Sequence, residues 1–210
     1  MAVAMGMANA ASIITSFGPA NNQAGPMFGQ SATVNIGADT ADGSITQTVY
    51  LTSFSLRQTN STTGINNSDV SYLHVYDAFG VDGSANPTTI GNLVGVSNST
   101  VDFSTTGAGV ALAWTFDGTI ALDKSTEYFF IFAKDTSAAT VGNSGNLITQ
   151  GLRLTTGNPY LGGRSYRANG TTSDWDAEFT MITSTNVVPE PSSTALMGLG
   201  GLAILLRRRR

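Results

Sequence analysis

Apolar and polar residues alternate along much of the chain with a period of two. That spacing puts every second side chain on one face of a β-strand. Residues 110–116 place Leu112, Trp114 and Phe116 on one parity, and residues 176–183 do the same with Ala177, Phe179 and Met181. Residues 70–79 carry Val70, Tyr72, His74 and Tyr76 on one parity, Leu73 and Val75 on the other. Residues 45–56 change phase: Val49 and Leu51 share a face, Phe54 and Leu56 have the opposite parity, and a β-bulge is predicted between them. Residues 128–133 are continuously apolar, as in a central strand buried on both faces. Residues 31–36 and 147–154 complete the set.

Between these runs stand Asp42-Gly43, Asp82-Gly83, Asp117-Gly118, Gly162-Gly163 and Asn169-Gly170. Such pairs supply the positive φ of tight hairpin turns. No segment before the C-terminal tail has an apolar stripe of helical period and length. The pattern predicts an all-β domain over residues 12–185, a β-sandwich of jelly-roll type.

Only 11% of residues are charged, against about 25% in ordinary soluble domains. Ser, Thr, Asn and Gly fill the gap, while β-branched and aromatic residues argue against disorder. The net charge is −4. One Glu and four Arg give residues 189–210 a charge of +3, which leaves −7 on residues 1–188. An acidic body lacks the basic surface that phosphate binding needs, so nucleic acid is excluded as a partner. There is no cysteine, hence no disulfide and no thiolate metal site.

The C-terminus has three parts: Val187-Val188-Pro189-Glu190-Pro191-Ser192-Ser193, an uncharged run over 194–206, and Arg207, Arg208, Arg209 and Arg210. The prolines predict an extended, accessible motif. As a hydrophobic helix the run would span roughly 20 Å at about 1.5 Å per residue, short of the roughly 30 Å hydrocarbon core. A marginal membrane span suits transient retention, with the arginines as a cytoplasmic stop. This tail resembles a PEP-CTERM sorting signal over 186–210. The resemblance implies an exosortase as partner, processing near Val188, Pro189, Glu190 and Pro191, and a transient hold in the inner membrane of a Gram-negative bacterium. It implies a final place at the cell surface or outside the cell.

At the other end, Ala8-Asn9-Ala10 has the A-x-A form of a signal-peptide cleavage site, after a short apolar stretch without Lys or Arg. Residues 1–11 are read as a partial signal peptide whose true start lies upstream. The body resembles the choice-of-anchor class of bacterial surface domains through Val49-Tyr-Leu-Thr-Ser-Phe-Ser-Leu56, Leu122-Asp-Lys-Ser-Thr-Glu-Tyr128, Gly162-Gly163 and Trp175-Asp-Ala-Glu-Phe179. That resemblance brings no catalytic residues with it.

His74 is the sole histidine, lies in an aromatic strand, and has no G-x-S-x-G elbow to serve, so a packing role is expected rather than a triad. Asp176 and Glu178, two apart on an expected strand, would share a face near Asp174. A glycosidase pair is one reading and a solvated strand face the simpler one. Asp77, Asp82 and Asp102 are oxygen ligands that calcium could recruit, although Asp82-Gly83 reads more simply as a turn. No other cofactor or metal is indicated. Tyr160, Tyr166 and Trp175, with Arg164 and Arg167, gather in one late segment as a candidate glycan contact, set against Trp175 as core filler. Matches to the N-glycosylation pattern at Asn60, Asn66, Asn98 and Asn169 are expected by chance in so Ser/Thr/Asn-rich a chain. The expectation is a non-enzymatic exported protein. A module binding extracellular polysaccharide and a glycoside hydrolase are the alternatives.

Overall fold

The computed structural model describes residues 12–17, 23–34, 48–59, 70–82, 86–104, 109–123, 125–156, 160–167 and 175–184. Among the described residues the secondary structure is all β. In chain order the strands are β1 (Ser12–Phe17), β2 (Gln23–Thr33), β3 (Val49–Arg57), β4 (Val70–Tyr76), β5 (Phe79–Val81), β6 (Pro87–Ile90), β7 (Leu93–Val96), β8 (Val101–Asp102), β9 (Ala111–Thr115), β10 (Ala121–Leu122), β11 (Glu127–Ala133), β12 (Gln150–Thr156), β13 (Ser165–Arg167), β14 (Trp175–Ala177) and β15 (Phe179–Ser184). The first sheet runs β1-β15-β3-β10, with β9 also on β3. The second runs β14-β12-β2-β11-β4-β7, with β13 on β2 and β8 on β4. All pairings are antiparallel, and β5 and β6 form a separate hairpin.

The sheets face each other across one core, which makes the body a β-sandwich. Leu51, Phe54 and Leu56 of β3, Leu112 and Trp114 of β9, and Phe179 and Met181 of β15 enter it from one side. Leu73 and Val75, Phe130 and Phe132, and Leu152 and Leu154 enter from the other. Phe54 stacks on Phe130 at 3.8 Å between centroids, joining the two sheets. Fully buried Trp114 donates its indole N–H to Ser71 O at 2.9 Å, so no polar atom of the ring is stranded.

The phase change in β3 is a bulge, as its parity predicts. Ser53 opposes Ile182 while Leu51 opposes Thr183, which leaves Thr52 as the extra residue. Its hydroxyl donates to Ile182 O at 2.9 Å. The apolar run of β11 is buried on both faces. Phe130 and Phe132 enter the inter-sheet core, while Phe129, Ile131 and Ala133 join Phe28, Tyr76, Phe79, Leu147 and Tyr166 in a second cluster behind the second sheet.

Three expected strands are drawn differently. The expected 31–36 strand is the end of β2, which begins at Gln23 and ends at Thr33. The 70–79 stretch divides into β4 and β5. The 176–183 stretch belongs to two sheets: β14 pairs with β12, β15 pairs with β3 and β1, and Glu178 is the crossing point. Its N–H donates to Arg153 O at 3.2 Å in the second sheet, and its carbonyl accepts from Arg57 N at 3.1 Å in the first. Of the expected turns, Asp117-Gly118 has the positive φ, 77° at Gly118. The pairs at 42–43 and 169–170, Gly83, and the C-terminal helix lie outside the described residues.

Candidate functional site

Residues 160–164 form a loop that continues into β13 and lies along β2. The contact is dense and polar. Ser31 N donates to Arg164 O at 2.9 Å, Arg164 N donates to Ser31 Oγ at 2.8 Å, and Thr33 Oγ1 donates to Gly162 O at 2.7 Å. The Tyr160 hydroxyl donates to Thr33 O at 3.2 Å and accepts from Thr33 N at 3.3 Å. Gly163 is needed here for close approach, since a Cβ would run into the Ser31 carbonyl.

Beneath the loop lies a buried polar network. Asp176 is fully buried: Oδ2 accepts from Tyr160 N at 2.9 Å and Oδ1 from Gln30 Nε2 at 3.1 Å. Gln30 Nε2 also donates to Ser31 O at 2.9 Å, and Gln30 Oε1 accepts from Ser165 Oγ at 2.6 Å and Ala177 N at 2.8 Å. Burial pushes the Asp176 carboxyl above its ordinary value, and the donated N–H groups oppose the shift. Glu178 points elsewhere, with Oε1 2.8 Å from Arg57 Nε and Oε2 3.9 Å from Arg153 Nε. The expected shared face for Asp176 and Glu178 is therefore absent. The chain changes sheets between them, so one carboxylate lies inside and the other lies at the join.

The aromatic candidates are mostly interior. Tyr160 packs edge-on against Phe179 at 5.0 Å, and Tyr166 packs edge-on against Phe79 and Phe129. Both are buried, and burial pushes each hydroxyl up to about 12. Neither offers a face for stacking on a sugar, which corrects that expectation. Trp175 is half-buried against the core, with the Arg167 guanidinium 3.9 Å above its ring as a cation–π pair. Leu161, 85% exposed, and the exposed Arg164 are what the loop presents to solvent. With Thr33, Glu127, Gly162 and Gly163 they line an open concavity of about 120 Å³. One Glu127 oxygen accepts from Ser31 Oγ at 2.5 Å. Sequence reasoning missed Glu127 and Leu161, because nothing local marks Glu127 as a neighbour of residues 161–164.

His74 has the packing role expected of it. It is fully buried, with Nε2 2.7 Å from Asp135 O and Nδ1 3.1 Å from Tyr76 Oη. A carbonyl can only accept, so Nε2 carries the proton and Nδ1 accepts from the Tyr76 hydroxyl. Tyr76 Oη in turn accepts from Ala139 N at 3.0 Å. Burial lowers the imidazole pKa, holding it neutral.

Asp82 and Asp102 each close a local turn, and Asp77 closes the base of the β5–β6 hairpin. Asp77 accepts from Asn92 N and Nδ2, Asp82 from Asn86 N, and Asp102 from Ser104 N and Oγ. Among the described residues no three His, Asp or Glu side chains converge where one ion could sit.

Ala8 and Ala10, Val188, Pro189, Glu190 and Pro191, Arg207 to Arg210, and the candidate glycosylation asparagines other than Asn98 lie outside the described residues. Among the described residues no helix is long and apolar enough to cross a membrane. No curated protein and no solved structure matches the chain, so the jelly-roll likeness of the body rests on its sequence pattern. Residues 187–210 match the family model of the PEP-CTERM protein-sorting motif, which marks the chain as an exported protein sorted at the membrane by an exosortase.

Proposed function

We propose that the chain is a non-enzymatic surface protein. An exosortase processes it within 187–210, and its β-sandwich remains at the cell surface or in the extracellular polysaccharide matrix of a Gram-negative bacterium. The motif match carries this reading. The tail brings an apolar run and four arginines, which hold the chain in the inner membrane until it is cut, after a leader has been removed behind Ala10.

The non-enzymatic part is supported by how the candidate catalytic groups are used. The neutral imidazole of His74 is bonded at both nitrogens, Asp176 is bonded inside the sandwich, and Glu178 is paired with arginine. A general acid or base must reach a proton on a substrate, and each of these groups is already engaged by the fold.

Mass spectrometry of the protein recovered from the cell surface tests the sorting step. In cells with an exosortase the mature C-terminus falls upstream of Thr194, and in cells lacking it the chain keeps Arg210. Surface-exposed protein that still carries Arg207–Arg210 in exosortase-containing cells overturns the reading. Turnover of any matrix glycan by the wild-type chain overturns the non-enzymatic part.

A further inference from the structure

From the geometry of residues 160–166 we infer that the concavity between Leu161, Arg164 and Glu127 is a binding site for the terminal sugar of a neutral polysaccharide. The inference deepens the reading of the body as a surface domain and takes from it only the source of the glycan. Three observations carry it.

The first is the expense of the support. Gln30, Ser165 and Asp176 are fully buried polar side chains, and the hydrogen bonds they make hold Tyr160, Ser31 and Ala177 in place. A buried carboxylate is a weak source of stability, but it fixes geometry. What it fixes here is a loop whose own outward groups are Leu161 and Arg164.

The second is the outward chemistry. Leu161 is the most exposed large apolar side chain among the described residues. It lines one concavity with Arg164 and Glu127, on a loop tied to β2 by backbone and side-chain hydrogen bonds, which is the arrangement of a preorganised contact.

The third is the mixed sign of the concavity. Among the described residues Arg164 and Glu127 form no ion pair with each other. With one charge of each sign the concavity carries no net charge, so neither an anionic nor a cationic ligand is favoured over a neutral one. A vicinal pair of hydroxyls suits both side chains, because each hydroxyl donates to a carboxylate and accepts from a guanidinium. Leu161 then covers the C–H face of the ring. The small, open shape admits one terminal residue of a glycan rather than a run of them.

Saturation-transfer NMR on the full chain tests this, with methyl glycosides of glucose, galactose, mannose and N-acetylglucosamine as probes, and with glucuronate and glucosamine as charged controls. At least one neutral glycoside receives saturation. Arg164→Ala and Leu161→Ser each weaken its binding about tenfold, while Val141→Ser, an exposed substitution outside this loop, leaves it unchanged. Unshifted melting temperatures show that the two site variants still fold. Transfer to no neutral glycoside, transfer to a charged control alone, or binding unchanged in both site variants each overturns the inference. None of these outcomes touches tail processing, so failure here is separable from failure of the sorting reading.

Discussion

Along β9 every second residue meets solvent, Ala111, Ala113 and Thr115, whereas along β11 every residue from Tyr128 to Ala133 is buried. Among the described residues β9 pairs with β3 alone, at the edge of its sheet, while β11 runs between β2 and β4, and the two sheets have different surroundings. The first sheet covers the core on one face and turns outward the half-buried Ser53, Ser55 and Thr180 on the other. Behind the second sheet lies another apolar layer, with Phe79 and Ile90 from the β5–β6 hairpin and Ala139 and Leu147 from the excursion between β11 and β12. The segment of residues 160–167 lies along β2 of that same sheet. The comparison teaches where this chain spends its loops. Among the described residues the loop segments packed as a further layer cover one sheet, and the fully buried titratable side chains His74, Tyr76 and Asp176 sit on strands of that sheet.

The largest expected effect separates the two environments directly. Phe130→Ala removes a ring stacked on Phe54 in the inter-sheet core and costs about 3–5 kcal/mol. Ala113→Ser, on the exposed face of β9, changes stability by no more than about 0.5 kcal/mol. Urea denaturation measures both. Similar costs would mean that the first sheet's outer face is covered in the protein at work.

Next comes the support of the loop. Asp176→Ala removes the carboxylate partner of the Tyr160 N–H and of one Gln30 amide hydrogen in the interior and costs about 1–3 kcal/mol near neutral pH. The sign of its pH dependence is fixed. The folded pKa is raised, so Asp176 contributes stability fully below the ordinary value of 3.8 and loses it as pH rises through the folded value. The stability gap between wild type and Asp176→Ala therefore widens as pH falls toward 3.8.

His74→Gln has a smaller cost and the opposite slope. Glutamine keeps one donor and one acceptor, so about 1 kcal/mol is lost near neutral pH. The folded pKa of His74 lies below its ordinary value of 6.5, so its contribution is present above 6.5 and is lost as pH falls through the folded value. The gap between wild type and His74→Gln narrows below 6.5. Thermal melts of the three proteins across pH check both slopes. Parallel curves would mean that neither group is buried as described.

Local pattern carried much of this fold. The parity change at Phe54 announced the bulge at Thr52, and the unbroken run 128–133 announced a strand covered on both sides. The first half of β2 stayed hidden, because Gly25, Pro26 and Gly29 read as punctuation. The 176–183 stretch misled for a subtler reason. Ala177, Phe179 and Met181 all face the one core that both sheets share, so the apolar alternation runs unbroken through the change of sheet. Within that stretch Asp176, buried beside Ala177, departs from the alternation of buried and solvated positions. Tyr160 and Tyr166 looked available because loops with Gly and Arg are usually exposed. Their burial is decided by β2, more than a hundred residues away in sequence. Glu127 lines the same concavity as Arg164 from a strand 37 residues earlier, and no local signal could pair them.

The smallest expected effect falls where the two sheets exchange a strand. The Glu178 carboxylate lies between Arg57 of β3 and Arg153 of β12, one from each sheet. Arg57 is 37% exposed, and water screens its pair. The crossing is also held without the side chain, by the Glu178 N–H on Arg153 O and the Arg57 N–H on Glu178 O. Glu178→Gln preserves both backbone bonds and the shape, and removes only the charge. It should cost about 0.5 kcal/mol at low salt and less at high salt, where surface pairs are screened. A salt-independent loss several times larger would make the carboxylate, rather than the backbone, the fastening between the sheets. The exposed and covered halves of the sandwich would then be joined by electrostatics where hydrogen bonding and a shared apolar core are expected to suffice.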